Sequence, residues 1–248
     1  MVKKRSNLLL LIVLGGGALL FLALCLLALA LHFSDQSLSW FYFGSDQIAS
    51  LEIEGPITDS EDFVDQLKEY GHRPGVRAIV LRINSPGGGV AATQEIFAAI
   101  RKFRVETKKK VIVSMASVAA SGAYYIACGA DKIFANPGTI TGSIGVIAEW
   151  YNYGDLLRWA KMQNIVIKSG TFKDSGSATR PLTQEEKAYF QTLIDKRHGQ
   201  FVTAVATGRK MKEDEVRKLA DGRVFTGQQA KDAGLVDEIG TYQDAIVE

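Results

Sequence analysis

Met115-Ala-Ser-Val-Ala-Ala-Ser-Gly-Ala-Tyr-Tyr125 is the stretch around which the chain is organised. It follows the β-branched run Val111-Ile-Val-Ser114 and precedes small residues that can open a helix, so Ser121 stands where a strand is predicted to pass into a helix. Its neighbours Ala120 and Gly122 leave the hydroxyl uncrowded. A serine at such a junction is either the N-cap of the helix or, exposed beside free backbone N–H groups, a nucleophile. This stretch by itself leaves both interpretations open.

Apolar runs and amphipathic segments alternate along the rest of the chain. Residues 76–83 and 111–115 are mostly apolar, as in strands covered on both faces, and residues 59–70 and 91–103 place apolar side chains on one helical face. This alternation predicts an α/β domain with several parallel strands. Further strands are predicted at residues 47–53, 132–135, 144–147 and 165–168, and further helices at residues 153–162, 184–207, 212–220 and 226–233, with a polar loop over residues 170–183.

Composition narrows the functional classes. The chain has 248 residues, enough for one α/β domain plus a tail. Its 29 Lys and Arg against 27 Asp and Glu give no broad basic surface, which argues against a nucleic-acid partner. Cys25 and Cys128 are not expected to pair, and they form neither a disulfide scaffold nor a zinc-ligand spacing. We therefore expect no metal and no cofactor.

The N-terminal segment predicts a membrane anchor. Residues 8–31 carry no charge, and as a helix they would be about 36 Å long, enough to cross a hydrocarbon core of about 30 Å. Basic residues occupy positions 3–5, and no Lys or Arg follows the run until Lys68. The positive-inside rule therefore places the N-terminus in the cytoplasm and everything after the helix on the periplasmic or extracytoplasmic side of the cell membrane.

Four segments result: a cytoplasmic N-terminus at residues 1–7, a single transmembrane signal anchor at 8–31, a stalk at 32–46 and a soluble domain at 47–248. A cleaved signal peptide is the alternative, because Ala28-Leu-Ala30 resembles a cleavage site. The apolar run is longer than the roughly 7–15 residues of a usual signal-peptide core, which favours the uncleaved anchor.

Asn84-Ser-Pro-Gly-Gly-Gly89 lies directly after a predicted buried strand and before a predicted helix. Its three glycines permit a concave run of N–H groups that could hold a phosphate or the oxyanion of an acyl-transfer intermediate. The loop lacks the Lys-Ser/Thr ending of a phosphate-binding loop and the spacing of a dinucleotide site, so nucleotide binding is weakly supported. A simple tight turn is the alternative.

A nucleophilic Ser121 would need a base, and the chain has only three histidines. His32 ends the predicted membrane helix, His72 lies in a polar turn and His198 lies among charged neighbours in a predicted helix. None of them is a good candidate for the base, so the sequence gives little support to a Ser-His-Asp triad. A lysine can serve instead where burial keeps a fraction of it neutral. Lys173, in a loop after a predicted strand, is the candidate, with an exposed loop lysine as the alternative.

Five motifs together resemble the signal peptide peptidase A family of serine peptidases, over about residues 48–248. They are Asn84-Ser-Pro-Gly-Gly, Ala120-Ser-Gly, Thr141-Gly-Ser-Ile-Gly-Val146, Ser169-Gly-Thr-Phe-Lys-Asp174 and Asp221-Gly-Arg-Val-Phe-Thr-Gly227. The chain is similar to the short, single-domain bacterial form rather than the double-length form. Ala123 departs from the family pattern, in which many relatives have a second glycine, but it lies beyond the proposed oxyanion donor.

The resemblance implies a role for five residues. Ser121 would be the nucleophile and Lys173 the general base, Ser143 would orient the lysine amine, and the N–H groups of Gly88 and Gly122 would form the oxyanion hole. It also implies a Clp protease/crotonase-like fold with stacked βα units. A ring or dome is expected, octameric in the single-domain form, with dyads completed between neighbouring subunits.

The expected activity is that of a serine endopeptidase with a Ser/Lys dyad, degrading remnant signal peptides at the membrane after their release from secreted proteins. Two other functions stay open. One is a membrane-protein quality-control peptidase that cuts apolar segments of a stomatin-like partner. The other is a non-catalytic membrane-anchored scaffold, against which the intact serine, lysine and glycine set argues. An acyl-CoA enzyme of the crotonase type is compatible with the fold alone.

Overall fold

The computed structural model describes residues 46–248. The predicted cytoplasmic N-terminus, transmembrane segment and stalk lie outside the described residues, apart from Asp46 at the end of the stalk. Across residues 46–248, every helix is too short or too polar to span a bilayer. Residues 48–248 form one compact unit.

Seven strands and eight helices alternate through the described residues. The strands are β1 (Gln47–Glu54), β2 (Val76–Ser85), β3 (Lys110–Ala120), β4 (Lys132–Ala135), β5 (Ile140–Gly142), β6 (Val224–Thr226) and β7 (Glu238–Ile239). The helices are α1 (Glu61–His72), α2 (Val90–Thr107), α3 (Gly122–Ala127), α4 (Gly154–Trp159), α5 (Gln184–Arg209), α6 (Glu213–Leu219), α7 (Gly227–Asp232) and α8 (Tyr242–Val247).

The strands form one sheet in the order β1-β2-β3-β4-β7, in which β2, β3, β4 and β7 run parallel. Near its end β3 also pairs in parallel with β5, which pairs antiparallel with β6. The expected α/β class with a parallel sheet is therefore confirmed. The sheet places the carboxyl ends of β2 and β3 side by side, with Ser85 paired to Ala119.

Side chains alternate between the two faces of the sheet, as the period of a strand requires. On β2, Ile79, Leu81 and Ile83 are fully buried in the main core. Val80 points to the opposite face, where it packs in a smaller cluster with Phe134 and residues of α8. The buried, mostly apolar runs of the sequence thus reflect a sheet that is covered on both faces.

β3 is longer than its apolar run predicted. The sequence indicated a strand that ends at Met115, but the strand continues to Ala120 through small residues. Val118, Ala119 and Ala120 pair with β5, and Ala119 also pairs with Ser85 of β2. Partner strands on both sides keep these residues extended although they lack β-branched side chains.

Two predicted strands are wrong. Residues 144–147 form no strand, because Gly142 (φ 76°) and Ser143 (φ 51°) adopt left-handed conformations that end β5. Residues 165–168 also form no strand, and Ile167 is 96% exposed. The described residues offer that segment no neighbouring strand, so its apolar β-branched residues remain on the surface.

Candidate active site

Ser121 occupies the turn between β3 and α3 with φ 54° and ψ −123°. A non-glycine residue with positive φ is uncommon and costs free energy, and such strain at a strand-to-helix turn is typical of nucleophile elbows. Ser121 is in the N-cap position, but its side chain makes no capping hydrogen bond. The hydroxyl is therefore not used as a cap, unlike the hydroxyls of Thr183, Thr226 and Thr241.

Both backbone polar groups of Ser121, its N–H and its carbonyl, make hydrogen bonds. Its N–H donates to the carbonyl of Gly142 at the end of β5 (2.8 Å), and its carbonyl accepts from the N–H of Tyr125 (2.9 Å). The strained conformation is thus maintained by β5 and by the first turn of α3.

The glycine loop after β2 lies directly beside Ser121. Gly87 has φ 95°, and a Cβ on it would come within 2.6 Å of the Gly122 nitrogen. A Cβ on Gly88 would come within 2.1 Å of the carbonyl oxygen of Ile57. Glycine is required at both positions, because any larger residue would force this loop away from its neighbours.

Two backbone N–H groups near Ser121 lack acceptors. Within residues 46–248 neither the N–H of Gly88 nor that of Gly122 donates a hydrogen bond, although their neighbours Gly89 and Ser121 both do. Gly122 is the first residue of α3, where an N–H has no partner inside the helix. The structure therefore brings together three of the predicted site residues, Ser121, Gly88 and Gly122, in an arrangement suited to holding an oxyanion.

A cavity of about 120 Å³ opens at these three residues. Its walls come from the glycine loop, α2, α3, the segment after β5, and α5. The lining residues are Gly88, Val90, Thr93, Gln94, Ser121, Gly122, Tyr125, Gly145, Val146, Ile147, Arg197 and Phe201. Apolar and small side chains predominate, so the cavity can receive an uncharged side chain next to the serine.

Thr93 is a lining residue that sequence reasoning missed. It is 3% exposed, and its Oγ1 has no hydrogen-bond partner in the described part of the chain. Oγ1 would lie 2.5 Å from a Cβ on Gly122, so Thr93 packs against the proposed oxyanion donor. No sequence signal marks it, because a threonine inside an amphipathic helix is ordinary.

Ser143 follows β5 directly and is half-buried. Its N–H donates to the carbonyl of Arg223 (2.9 Å), which fixes its backbone next to the residue that holds Ser121. Its hydroxyl has no hydrogen-bond partner within the described residues. Ser143 thus follows directly after Gly142, the residue that accepts the hydrogen bond of the Ser121 N–H. It does not line the cavity itself.

Lys173 is not brought to Ser121. It lies exposed in a series of turns, its N–H donates to the carbonyl of Gly170 (3.3 Å), and its amine contacts no acceptor among residues 46–248. It is also absent from the cavity lining. This subunit alone therefore brings together the predicted nucleophile and the predicted oxyanion donors, without the predicted base.

Other titratable groups do not replace Lys173. His72 faces the carbonyl of Lys68 (2.9 Å), and neither it nor His198 lines the cavity. Burial raises the pKa of Tyr125, so its phenol stays protonated. Burial also raises the pKa of Cys128 to about 12, which excludes it as a thiolate nucleophile near neutral pH. Residues 46–248 contain no cluster of three His, Cys, Asp or Glu side chains that would suit a metal ion.

The fold and the serine site define an α/β hydrolytic enzyme that uses a serine nucleophile. Comparison with known families agrees: the model of peptidase family S49 matches residues 104–248, and the Clp protease model matches residues 47–140. The chain belongs to peptidase family S49, that of the signal peptide peptidase A proteins, and it is a serine peptidase with a Clp protease-like fold.

Several relatives share most of the described domain. A putative protease of Synechocystis sp. is 44% identical over 201 residues, which cover 80% of this chain and 72% of that protein. A putative signal peptide peptidase SppA of Enterococcus faecium is 37% identical over 81% of this chain and 62% of its own length. Protease 4 of Salmonella typhi is 34% identical over 88% of this chain, which spans only 36% of that protein.

Proposed function

We propose that this chain is a membrane-anchored endopeptidase that degrades remnant signal peptides through a Ser121/Lys173 dyad. The observation that carries the proposal is the strained Ser121 beside the unengaged N–H groups of Gly88 and Gly122. To attack an amide, a serine hydroxyl needs a base and also donors that stabilise the oxyanion formed in the attack. The two N–H groups beside Ser121, which are free within the described residues, support the second requirement.

In the proposed reaction, the neutral Lys173 amine takes the proton of the Ser121 hydroxyl as its oxygen attacks the scissile carbonyl. The N–H groups of Gly88 and Gly122 stabilise the oxyanion, and the protonated lysine then gives its proton to the leaving amine. A water molecule activated by the same lysine releases the acyl group from Ser121. Ser143 orients the amine, for which its unpartnered hydroxyl is available.

Lys173 is supplied by a neighbouring subunit in this proposal. Its backbone is held by the Gly170 carbonyl, whereas its amine meets no partner within the described residues and so remains available to a serine of another subunit. The segment before it exposes large apolar side chains that a stable monomer would bury, among them Ile147, Trp159, Ile165 and Ile167. Covering this surface with a second copy, in a closed ring or dome, buries the segment and delivers the lysine to the next serine.

Three observations support the membrane setting and the substrate. The uncharged run at residues 8–31, preceded by basic residues, favours a signal anchor with the catalytic domain on the periplasmic or extracytoplasmic side. A relative of similar sequence carries the name of a signal peptide peptidase. The small, mainly apolar cavity beside Ser121 suits the apolar core of a signal peptide.

Mixed rings test the shared site. Ser121→Ala and Lys173→Ala subunits, each inactive alone, are expected to recover part of the peptidase activity when they are mixed and reassembled, because one intact site then forms between unlike subunits. Native mass spectrometry verifies that the rings are mixed. Activity that stays absent in verified mixed rings would rule out sharing of the dyad.

Substrate mapping tests the remainder of the proposal. A mixture of synthetic signal peptides is incubated with the purified protein, and the products are mapped by mass spectrometry with Ser121→Ala as the control. Cuts within the apolar cores are expected with the wild-type protein alone. If a fluorophosphonate labels Ser121 but these peptides are not cleaved, the assignment of Ser121 as the nucleophile stands and the proposed substrate is excluded. Absence of labelling would favour a non-catalytic scaffold.

A further inference from the structure

The cavity beside Ser121 has one charged side chain in its lining. Arg197 lies on α5 and lines the cavity together with Phe201, which is four residues further along the same face of the helix. The lining contains no Asp or Glu. The charge of Arg197 is therefore not compensated by any group of the cavity wall.

Arg197 also has no partner among the residues that the structure describes. Within residues 46–248 its guanidinium makes no hydrogen bond, ion pair or ring contact. Arg104, Arg180 and Arg209, by contrast, each donate to a carboxylate at 2.6 to 2.9 Å. A guanidinium presents several N–H donors in a planar fork that fits a carboxylate, and these donors remain available at the cavity.

We propose that Arg197 binds a carboxylate of the peptide substrate and so selects peptides that carry one near the bond attacked by Ser121. The buried ring of Phe201 and the side chain of Val90 give this part of the cavity an apolar wall. Arg197 itself is exposed. A carboxylate held between its guanidinium and this wall would lose part of its contact with water, so the charged hydrogen bond would be screened less than on an open surface.

Two parts of a peptide offer this carboxylate: the C-terminal α-carboxylate and an Asp or Glu side chain. The inference rests on the proposed function, because a signal peptide released from its precursor ends in a free α-carboxylate. That terminus is absent from the intact precursor, so recognition of it would direct the enzyme to released peptides.

The test uses matched peptides with the full oligomeric protein. One acetylated peptide of leucine and alanine is prepared as the free acid and as the C-terminal amide, and amidated peptides with a single Glu or Gln near the cut form the second pair. In one of the two pairs, wild-type kcat/KM is expected to be roughly three- to ten-fold higher for the peptide that carries the carboxylate, a value between those of an exposed ion pair and of a charge-assisted hydrogen bond. Preference in the first pair identifies the α-carboxylate, and preference in the second identifies a side chain.

Arg197→Gln is expected to lower kcat/KM more for the peptides with the carboxylate than for those without it, which removes the preference, and Arg197→Lys is expected to keep part of it. Lys196→Gln removes the same charge from the neighbouring residue, which does not line the cavity, and is expected to keep the full preference. Equal losses on acids and amides in Arg197→Gln would overturn the inference, as would a wild-type enzyme that prefers neither acid.

Binding gives a readout that does not depend on catalysis. In the Ser121→Ala protein, the dissociation constants of the same peptides are measured by calorimetry, with and without Arg197→Gln. Tighter binding of the acid that disappears with Arg197→Gln supports the carboxylate site even if none of the peptides is cleaved, whereas equal binding of acid and amide refutes it. Cleavage of the amides with no acid preference leaves the proposed function standing and removes only this inference.

Discussion

The N–H of Ser121 donates a 2.8 Å hydrogen bond to the carbonyl oxygen of Gly142, which ties the proposed nucleophile to the end of β5. Gly142 can take part because its φ of 76° turns the chain immediately after its pairing with Ala120. The same turn directs the next residue, Ser143, towards Arg223. One short strand thus positions both the serine proposed as the nucleophile and the serine proposed to orient the base.

Gly88→Ala is expected to reduce kcat by about 10²–10³-fold, the usual cost of losing one oxyanion donor. Its Cβ would lie 2.1 Å from the Ile57 oxygen, so the loop would have to move and carry the Gly88 N–H away from the site. Gly89→Ala is the matched control, because its Cβ would lie 3.6 Å from the same oxygen, an ordinary contact. Steady-state kinetics and melting temperatures compare the two, and equal loss of kcat in both would contradict a specific role for Gly88.

Thr93→Val is expected to leave the free energy of unfolding unchanged or to raise it. The Thr93 hydroxyl is buried without a partner among residues 46–248, a state that costs about 1–3 kcal/mol, and valine has nearly the same shape. Thr107→Val on the same helix removes a 2.8 Å bond to the Phe103 carbonyl and is expected to cost about 1 kcal/mol. Denaturant unfolding measures both, and a larger loss in Thr93→Val would show that its hydroxyl has a partner.

Ile167→Asp is expected to dissociate the proposed ring and to abolish peptidase activity, since a charge would be buried in the subunit contact. Val105→Asp is the control, because Val105 is also largely exposed but lies on α2, outside the apolar segment before Lys173. Light scattering gives the molar mass, and circular dichroism verifies the fold. An Ile167→Asp protein with unchanged mass would argue that this surface is not the contact.

Acid is expected to loosen the loop that carries Lys173. Arg180 donates to both carboxylate oxygens of Glu186 (2.6 and 2.9 Å), and with the N–H of Thr183 it holds the pKa of Glu186 well below its usual range. Lys168 and Arg180 likewise lower the pKa of Asp174. Because both pKa values are lowered by folding, the stabilisation is complete above about pH 4.5 and is lost as the pH falls through the folded-state values.

Hydrogen exchange of residues 168–186, corrected for intrinsic rates, measures this loss between pH 6 and pH 3. Glu186→Gln is expected to weaken protection already at pH 6 and to reduce the further change on acidification. Glu185→Gln alters a neighbouring exposed carboxylate and is expected to behave as the wild-type protein does. Undiminished protection of the wild-type loop at pH 3 would mean that these carboxylates do not hold it.

The spacing of apolar residues along the chain predicted most of the strands and helices, because each buried position of an element needs an apolar side chain. The runs at β2 and β3 and the amphipathic pattern of α2 are local properties, and these three elements form at the predicted places, although β3 continues beyond its predicted end. The runs at 144–147 and 165–168 have the same local character but form no strands, since a strand also needs a partner at the right distance. The structure places one of its shortest strands, β5, at the neighbouring residues 140–142.

For the site, the sequence by itself determined which functional groups are available. These are a serine between small residues at a strand-to-helix junction and a loop that only glycines can form. Tertiary structure decided that the two meet, that Ser121 is strained with its hydroxyl free, and that Thr93 and Arg197 share its cavity. It also placed Lys173 on the exposed surface of its own subunit. The physical reason is that composition and spacing act along the chain, whereas a catalytic distance depends on how separate elements pack.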